Sequence, residues 1–244
     1  MLPIWRLYDR AYDSVDSIKA VNKDDKEIIL EKLIDFEGVK GFRAKRSSKI
    51  IRLPLEMTAD LAYFLGIVIG DGYVKMVKRN KGGYYWDIVI TGEKNYIELL
   101  AKITNKLFGH RPTVKKDKRR EKSYILTISS MIVFRYLTRV FGFHPGKKCG
   151  NIPRIRFVCD GSFHFRNYLS GLIDSDGYVS SSYAALIQKD RKFLNYIRAK
   201  SKKLLNFEFS TVRVNRRIEN EIVGWWIVTT DVKRFKSIIP LRYR

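Results

Sequence analysis

One stretch of this chain occurs twice, and that constrains the fold more than any other feature. Residues 61–74 read LAYFLGIVIGDGYV and residues 165–179 read FRNYLSGLIDSDGYV. Asp71 and Asp176 take the same place in the two copies, 105 residues apart, and each copy comes after a Pro-containing Ile/Arg segment around Pro54 or Pro153. The segments downstream of the two copies also match. After the first, Tyr73–Lys78 and Tyr84–Ile90 read as strands around a Gly-rich turn, Glu93–Phe108 as an amphipathic helix, Thr113–Lys116 and Ser123–Ser129 as a second strand pair, and Ile132–Phe141 as a closing helix. After the second, strands 178–180 and 183–187 precede a helix over 189–205, strands 211–216 and 222–229, and a last helix over 231–238. The order is αββαββα, twice, so the expected fold is α+β, built as two pseudo-symmetric repeats.

Each apolar motif stretch reads as a helix with an Asp at its C-terminal end, where the helix dipole disfavours a carboxylate and a bound cation would remove the cost. Asp-Gly by itself is a common turn signal. Here Gly66 and Gly70 are four apart, as are Gly171 and Ser175, so small residues share one face of each helix. If the two helices pack on that face, Asp71 and Asp176 meet. Two hard oxygen ligands side by side suit Mg²⁺ and metal-assisted hydrolysis of a phosphodiester. Gly72 and Gly177 sit where a left-handed helix cap is expected.

Charge agrees with such a substrate. The 244 residues carry 48 Lys and Arg against 25 Asp and Glu, net +23, with 45% hydrophobic and 13% aromatic content. This is a folded basic protein rather than an acidic solvating chain or a disordered basic tail, and a nucleic acid is its expected partner. Residues 1–36 carry six Lys/Arg and eight Asp/Glu, net −2, so the remainder carries +25. Ile28, Ile29, Leu33 and Ile34 read as a helix in this first segment. The expected organisation is an N-terminal helical extension with a basic arm (1–49), a first repeat (50–142), a linker (143–162) and a second repeat (163–244). No apolar run is long enough to cross a membrane, and the start lacks a signal-peptide stretch, so an intracellular protein is expected.

Residues 64–72 (FLGIVIGDG) and 169–177 (LSGLIDSDG) resemble the signature of the LAGLIDADG homing endonucleases. The second copy departs from the name-giving sequence only by Ser at 170 and 175. The resemblance covers about residues 50–240 and is to the monomeric, two-motif members. It implies a saddle of antiparallel sheets over duplex DNA. It also implies divalent ions (Mg²⁺, with Mn²⁺ as a substitute) held by Asp71 and Asp176 with the carbonyls of Gly70 and Ser175. Each strand of a long asymmetric site would be cut to leave short 3′ overhangs. Gln188 matches the family's polar residue after the second strand, whereas the first half has Gly92 there. The family's basic residue near the fourth strand is unmatched in both halves. Asp174, which Ile69 replaces in the first copy, reads as a structural contact between helices.

Alternation along the strands marks a DNA face independently. Val212 and Val214 face inward, leaving Thr211, Arg213 and Asn215 outward. Likewise Val74 and Met76 face the core, with Tyr73, Lys75, Val77 and Arg79 outward. Lys115, Arg119, Arg120 and Lys122 line a hairpin, and Lys189 and Arg217 complete the candidate DNA-binding set. Most of these charges would hold phosphates. The aromatic runs Tyr84-Tyr85-Trp86 and Trp225-Trp226 read as core and sheet packing. His144, Cys149, Cys159 and His164 have poor spacing for zinc, and two free thiols are the simpler reading.

The expected activity is therefore site-specific, metal-dependent cleavage of duplex DNA. The rivals are an intron-RNA maturase on the same scaffold and a DNA-binding regulator without catalysis. With no N-terminal Cys or Ser nucleophile and no C-terminal His-Asn, a free-standing or intron-encoded enzyme is expected rather than an intein.

Overall fold

The computed structural model describes residues 2–3, 18–29, 38–44, 47–78, 80, 84–148, 150–219 and 221–243. The chain forms two compact units, Met1–Met57 with Tyr73–Gly146, and Thr58–Gly72 with Lys147–Arg244. The first motif helix, α1 (Ala59–Gly70), therefore belongs with the second repeat, although its chain runs on into the first unit.

In the first unit, β1 (Ile18–Asn22), β2 (Glu27–Ile29), β3 (Val39–Ala44) and β4 (Ile50–Ile51) make an antiparallel sheet of order β2-β1-β3-β4. This corrects the expected N-terminal helix over the described residues; Leu33 and Ile34 lie outside them. The Asn22 side chain is the reason. Its Oδ1 accepts from the amides of Asp24 (3.0 Å) and Lys26 (2.8 Å), Asp25 takes φ 61°, and the chain folds back as a hairpin. Part of the supposed basic arm is strand β3, with Arg43 paired to Glu27 across the sheet (3.2 Å).

The unit's second sheet has the order β5-β6-β8-β7, from β5 (Gly72–Lys78), β6 (Tyr84–Gly92), β7 (Thr113–Lys116) and β8 (Tyr124–Ser129). One face is covered by the amphipathic helix α2 (Lys94–Phe108). It buries Ile97, Leu100 and Ile103 with Ile88, Ile90, Leu126 and Ile128. Gly109 at φ 60° caps that helix. The short helix α3 (Met131–Arg135) runs into a π-helical turn (Tyr136–Val140), whose Tyr136 hydroxyl donates to the Pro54 carbonyl (2.7 Å).

The second unit contains both motif helices, α1 and α4 (Ser162–Asp176). Its sheet has the order β11-β12-β10-β9, from β9 (Gly177–Val179), β10 (Ala184–Gln188), β11 (Arg213–Ile218) and β12 (Glu221–Thr229). Helix α5 (Arg191–Leu205) buries Phe193, Leu194 and Ile197 and ends on left-handed Asn206. Helix α6 (Val232–Ile238) starts at its Asp231 cap and packs Phe235 on Phe207 and Phe209. The predicted strand and helix order after each motif is thus present.

Leu61–Ile69 are all buried, so α1 is apolar all round because it is enclosed all round. Its approach to α4 is set by glycine. A Cβ at Gly66 would stand 2.3 Å from the Tyr168 carbonyl, and one at Gly171 2.2 Å from the Tyr63 carbonyl. The predicted small-residue face is the helix–helix contact. The expected left-handed caps at Gly72 and Gly177 are not found. Helix α1 ends on Asp71 in the right-handed region, and Gly177 is extended at φ −102°. Glycine is needed there for space, since a Cβ would meet Val68 Cα at 2.6 Å or the Ile173 carbonyl at 2.6 Å.

Candidate active site

The site forms where α1 and α4 end side by side. Asp71 is the C-cap of α1 and Asp176 is the last residue of α4. Neither helix has a basic residue in its last turn, so both ends and both carboxylates are negative. At Gly70 there is room for nothing larger. A Cβ would lie 3.1 Å from the Asp176 carboxylate and would overlap the Ser175 side chain. Ser175 Oγ, facing Gly70 across the helix contact, donates back to the Gly171 carbonyl (2.8 Å).

Gln188, the last residue of β10, donates its side-chain amide to Asp176 Oδ2 and is itself buried. The cation comes from a residue that no sequence signal marks. Lys148, in the segment between the repeats, donates Nζ to the carbonyls of Ile69 (2.8 Å) and Gly70. Burial pushes the Lys148 ammonium below the usual lysine range, while Asp176 and Asp71 pull it back up. A carboxylate at a helix C-terminus calls for a cation of this kind, but nothing in the spacing singles out residue 148.

These groups fit a divalent cation by donor chemistry: two carboxylates with peptide carbonyls, all hard oxygens, at a place where an ammonium already rests. Among the described residues no group of three or more His, Cys, Asp or Glu side chains converges to hold a metal. A metal here would rely on carbonyls, water and substrate for its remaining ligands.

The site opens into a cleft of about 640 Å³ lined by Gly70, Lys148, Asp176, Gln188, Lys189 and Asn215, among others. Lys147 and Arg216 also line it. Of the predicted contact residues, Lys189 and Asn215 therefore share the cleft with Asp176. Arg213 is exposed on β11, and the side chain of Arg217 lies outside the described residues. Strict alternation along β11 is broken by bulges between Val214 and Arg217, which place Arg216 in the cleft with Asn215.

In the first unit, Lys75 pairs with Asp87 (3.6 Å), and Lys115, Arg119, Arg120 and Lys122 are exposed on or beside the β7–β8 hairpin. Arg79 lies outside the described residues. Met76 is corrected. It is 44% exposed because Val74 ends the covered part of β5, and the strand runs on into solvent. Tyr84 and Tyr85 are also exposed, against the reading that buried them, while Trp86 packs edge-on against Phe134 (4.9 Å). Trp225 lies under the Arg191 guanidinium (4.9 Å).

Asp174 serves as a contact between helices. It is buried and accepts from the Tyr63 hydroxyl (2.9 Å) and from the amides of Arg242 (3.0 Å) and Tyr243 (3.2 Å). The Arg242 guanidinium also bonds Asp60 (2.6 Å) and Asn167 (3.3 Å), so the C-terminal residues clasp the starts of α1 and α4. Cys159 is a free, buried thiol 2.9 Å from the Tyr196 hydroxyl; Cys149 lies outside the described residues.

No family model matches the sequence. An uncharacterized protein of Methanocaldococcus jannaschii is 25% identical over 154 residues, 62% of this chain, and the chain spans about half (51%) of that relative. Among solved structures, mesophilic variants of the homing endonuclease I-DmoI superpose with a TM-score of 0.59 at 17% identity, covering 74% of this chain and 90% of theirs. I-DmoI in complex with DNA and Mn gives 0.57 at 15% identity, covering 76% and 98%. The chain has the LAGLIDADG homing endonuclease fold. No helix among the described residues is long and apolar enough to cross a membrane.

Proposed function

We propose that a chain with this fold and this pair of acids is a site-specific, divalent-metal-dependent endonuclease acting on duplex DNA. The observation that carries the reading is that α1 and α4 end against each other with Asp71 and Asp176 as their terminal acids, beside a cleft lined by Asp176, Lys148 and Lys189. I-DmoI, whose fold this chain shares, has been solved with DNA and Mn.

Asp71 and Asp176 would hold the divalent ion, Mg²⁺ or Mn²⁺, with the Gly70 and Ser175 carbonyls as further oxygen donors. When bound, the ion supplies an acidified water and charge stabilisation at the phosphodiester. Gln188 fixes the Asp176 carboxylate through its amide and leaves its own carbonyl to orient water. Lys147, Lys189 and Arg216 draw the phosphate backbone into the cleft. Asn215 and Arg213 present the side-chain types that read adenine and guanine in the major groove. Lys75, Lys115, Arg119, Arg120 and Lys122 of the first unit also contact phosphates, and Arg79 and Arg217 are assigned to DNA contact from the sequence alone. Both acids come from one chain, so cleavage needs no second copy.

The test is selection of cleaved sites from a randomised duplex library with Mg²⁺ or Mn²⁺. Wild type, Asp71→Asn, Asp176→Asn and the double variant are run together. Wild type is expected to enrich one long asymmetric site cut to short 3′ overhangs. The double variant is expected to bind that site and lose cleavage by at least about 10³-fold, the scale of removing a principal charge-stabilising group. Binding without cleavage by wild type under either metal would overturn the reading and leave the DNA-binding regulator. Preference for structured intron RNA over every duplex would leave the maturase.

A further inference from the structure

The end of α1 is crowded with negative charge. Its last carbonyls have no partner within the helix, Asp71 stands at the cap, and the Asp176 carboxylate lies against Gly70. Leu61–Ile69 are buried, and Gly70 and Asp71 are half-buried, with Gly70 lining the cleft. Neither motif helix brings a cation of its own in its last turn. The Lys148 ammonium sits on the carbonyls of Ile69 and Gly70. An ammonium has three donors, and two of them are spent on those carbonyls.

The segment that presents Lys148 is shaped for the purpose. Gly146 and Gly150, two residues to either side, adopt φ 92° and 78°, where side chains are strained, and no neighbour lies within 4 Å of a Cβ at either. The turn is closed by the Asn151 amide on the Lys148 carbonyl (2.8 Å). The Gly70 carbonyl is also an oxygen that a metal at Asp71 would use. One carbonyl end cannot seat an ammonium and a divalent ion in the same direction.

We infer that Lys148 is a tethered counter-cation: in the metal-free protein its ammonium fills the cation position at the end of α1, and a divalent ion gains the Gly70 carbonyl by displacing it. Lys148 is a positioning residue in this account. It keeps the two carboxylates together without metal and sets how strongly metal binds. The inference rests on the reading of Asp71 and Asp176 as the metal-holding pair.

The experiment uses the full chain without DNA and titrates Mn²⁺, counting free ion by its paramagnetic resonance signal. Lys148→Met removes the charge and keeps the length; Lys148→Arg keeps the charge. Lys148→Met is expected to bind Mn²⁺ at least tenfold more tightly than wild type. Its thermal midpoint falls below wild type in chelator and recovers with Mn²⁺, and adding Asp71→Asn abolishes the gain. Lys148→Arg stays near wild type in both readouts. If wild type binds Mn²⁺ through Asp71 but Lys148→Met binds no more tightly, the counter-cation inference fails while the metal pair stands. If neither protein binds Mn²⁺ in an Asp71-dependent way, the metal reading itself fails, and the inference with it. Should Lys148→Met not fold even with Mn²⁺, Lys148→Gln, an uncharged amide donor, is held to the same tenfold criterion.

Discussion

Replacing glycine by alanine inside a helix ordinarily stabilises a protein by about 1 kcal/mol. At Gly171 the opposite is expected. The added Cβ would stand 2.2 Å from the Tyr63 carbonyl oxygen and 3.1 Å from the Ile67 amide nitrogen, both backbone atoms of α1. Ordinary contact begins near 3.4 Å, so the two helices must part by about 1.2 Å (3.4 less 2.2). No side chain can rotate away to relieve the clash. Overpacking of this kind costs about 1–3 kcal/mol, and a backbone-on-both-sides clash belongs at the upper end. After the helix-propensity gain, a net loss of about 2 kcal/mol remains, a fall of roughly 4–8 °C in Tm for a chain of this size. Gly224→Ala is the control, because its nearest neighbour would be Asn215 Nδ2 at 3.8 Å. The assay is urea unfolding of wild type and both variants with the slope held common. A Gly171→Ala protein as stable as wild type, or more so, would refute the argument that glycine sets the distance between α1 and α4. The same displacement moves Asp71 against Asp176, and cleavage by Gly171→Ala should fall by about 10²-fold.

Tyr63→Phe removes the hydroxyl that donates to buried Asp174 and should cost about 1.5–3 kcal/mol, read as a lower thermal midpoint; an unchanged midpoint would show that Arg242 and Tyr243 suffice for that carboxylate. Burial, with Lys49 nearby, holds His110 below the ordinary imidazole value of 6.5, so the unfolded chain binds its proton first. Stability should therefore rise with pH from the depressed folded value up to about 6.5, and His110→Asn should flatten that part of a urea-midpoint profile.

The repeat makes the helices and strands legible because two copies of one pattern corroborate each other. Where no second copy exists, periodicity misleads. Ile28 and Ile29 look helical, but they come after an Asn-Lys-Asp-Asp-Lys run whose first side chain caps a tight turn. Periodicity counts apolar residues, and it gives no weight to an Asx turn that settles the direction of the chain. The glycines after each Asp are rightly marked as necessary, but for the wrong reason. A sequence cannot distinguish a glycine needed for φ from one needed for space, and at 72 and 177 it is space. Alternation misplaces Met76 and passes over Arg216, since it predicts which way a residue points but not where the covering helix stops or where a bulge intervenes.

Lys148 is illegible for a different reason: it acts from a turn, where no period applies, on carbonyls belonging to a helix 78 residues earlier. Its presence changes what the repeat means. The two motifs are alike in sequence, yet their helix ends are neutralised differently. Asp176 is met by the Gln188 amide, while the carbonyls at the end of α1 are met by the Lys148 ammonium, whose charge acts on Asp176 as well as on Asp71. The residue matching Gln188 in the first repeat is Gly92, which has no donor to offer and no room for one, since a Cβ there would stand 2.5 Å from the Tyr96 ring. An amide cannot oppose a metal ion, but an ammonium does so directly. A duplicated motif has thus been given two carboxylates with different hydrogen-bonding neighbours, the Gln188 amide having no counterpart at Gly92. On the proposed reading, that difference falls on two DNA strands of an asymmetric site, which are distinguishable from the start.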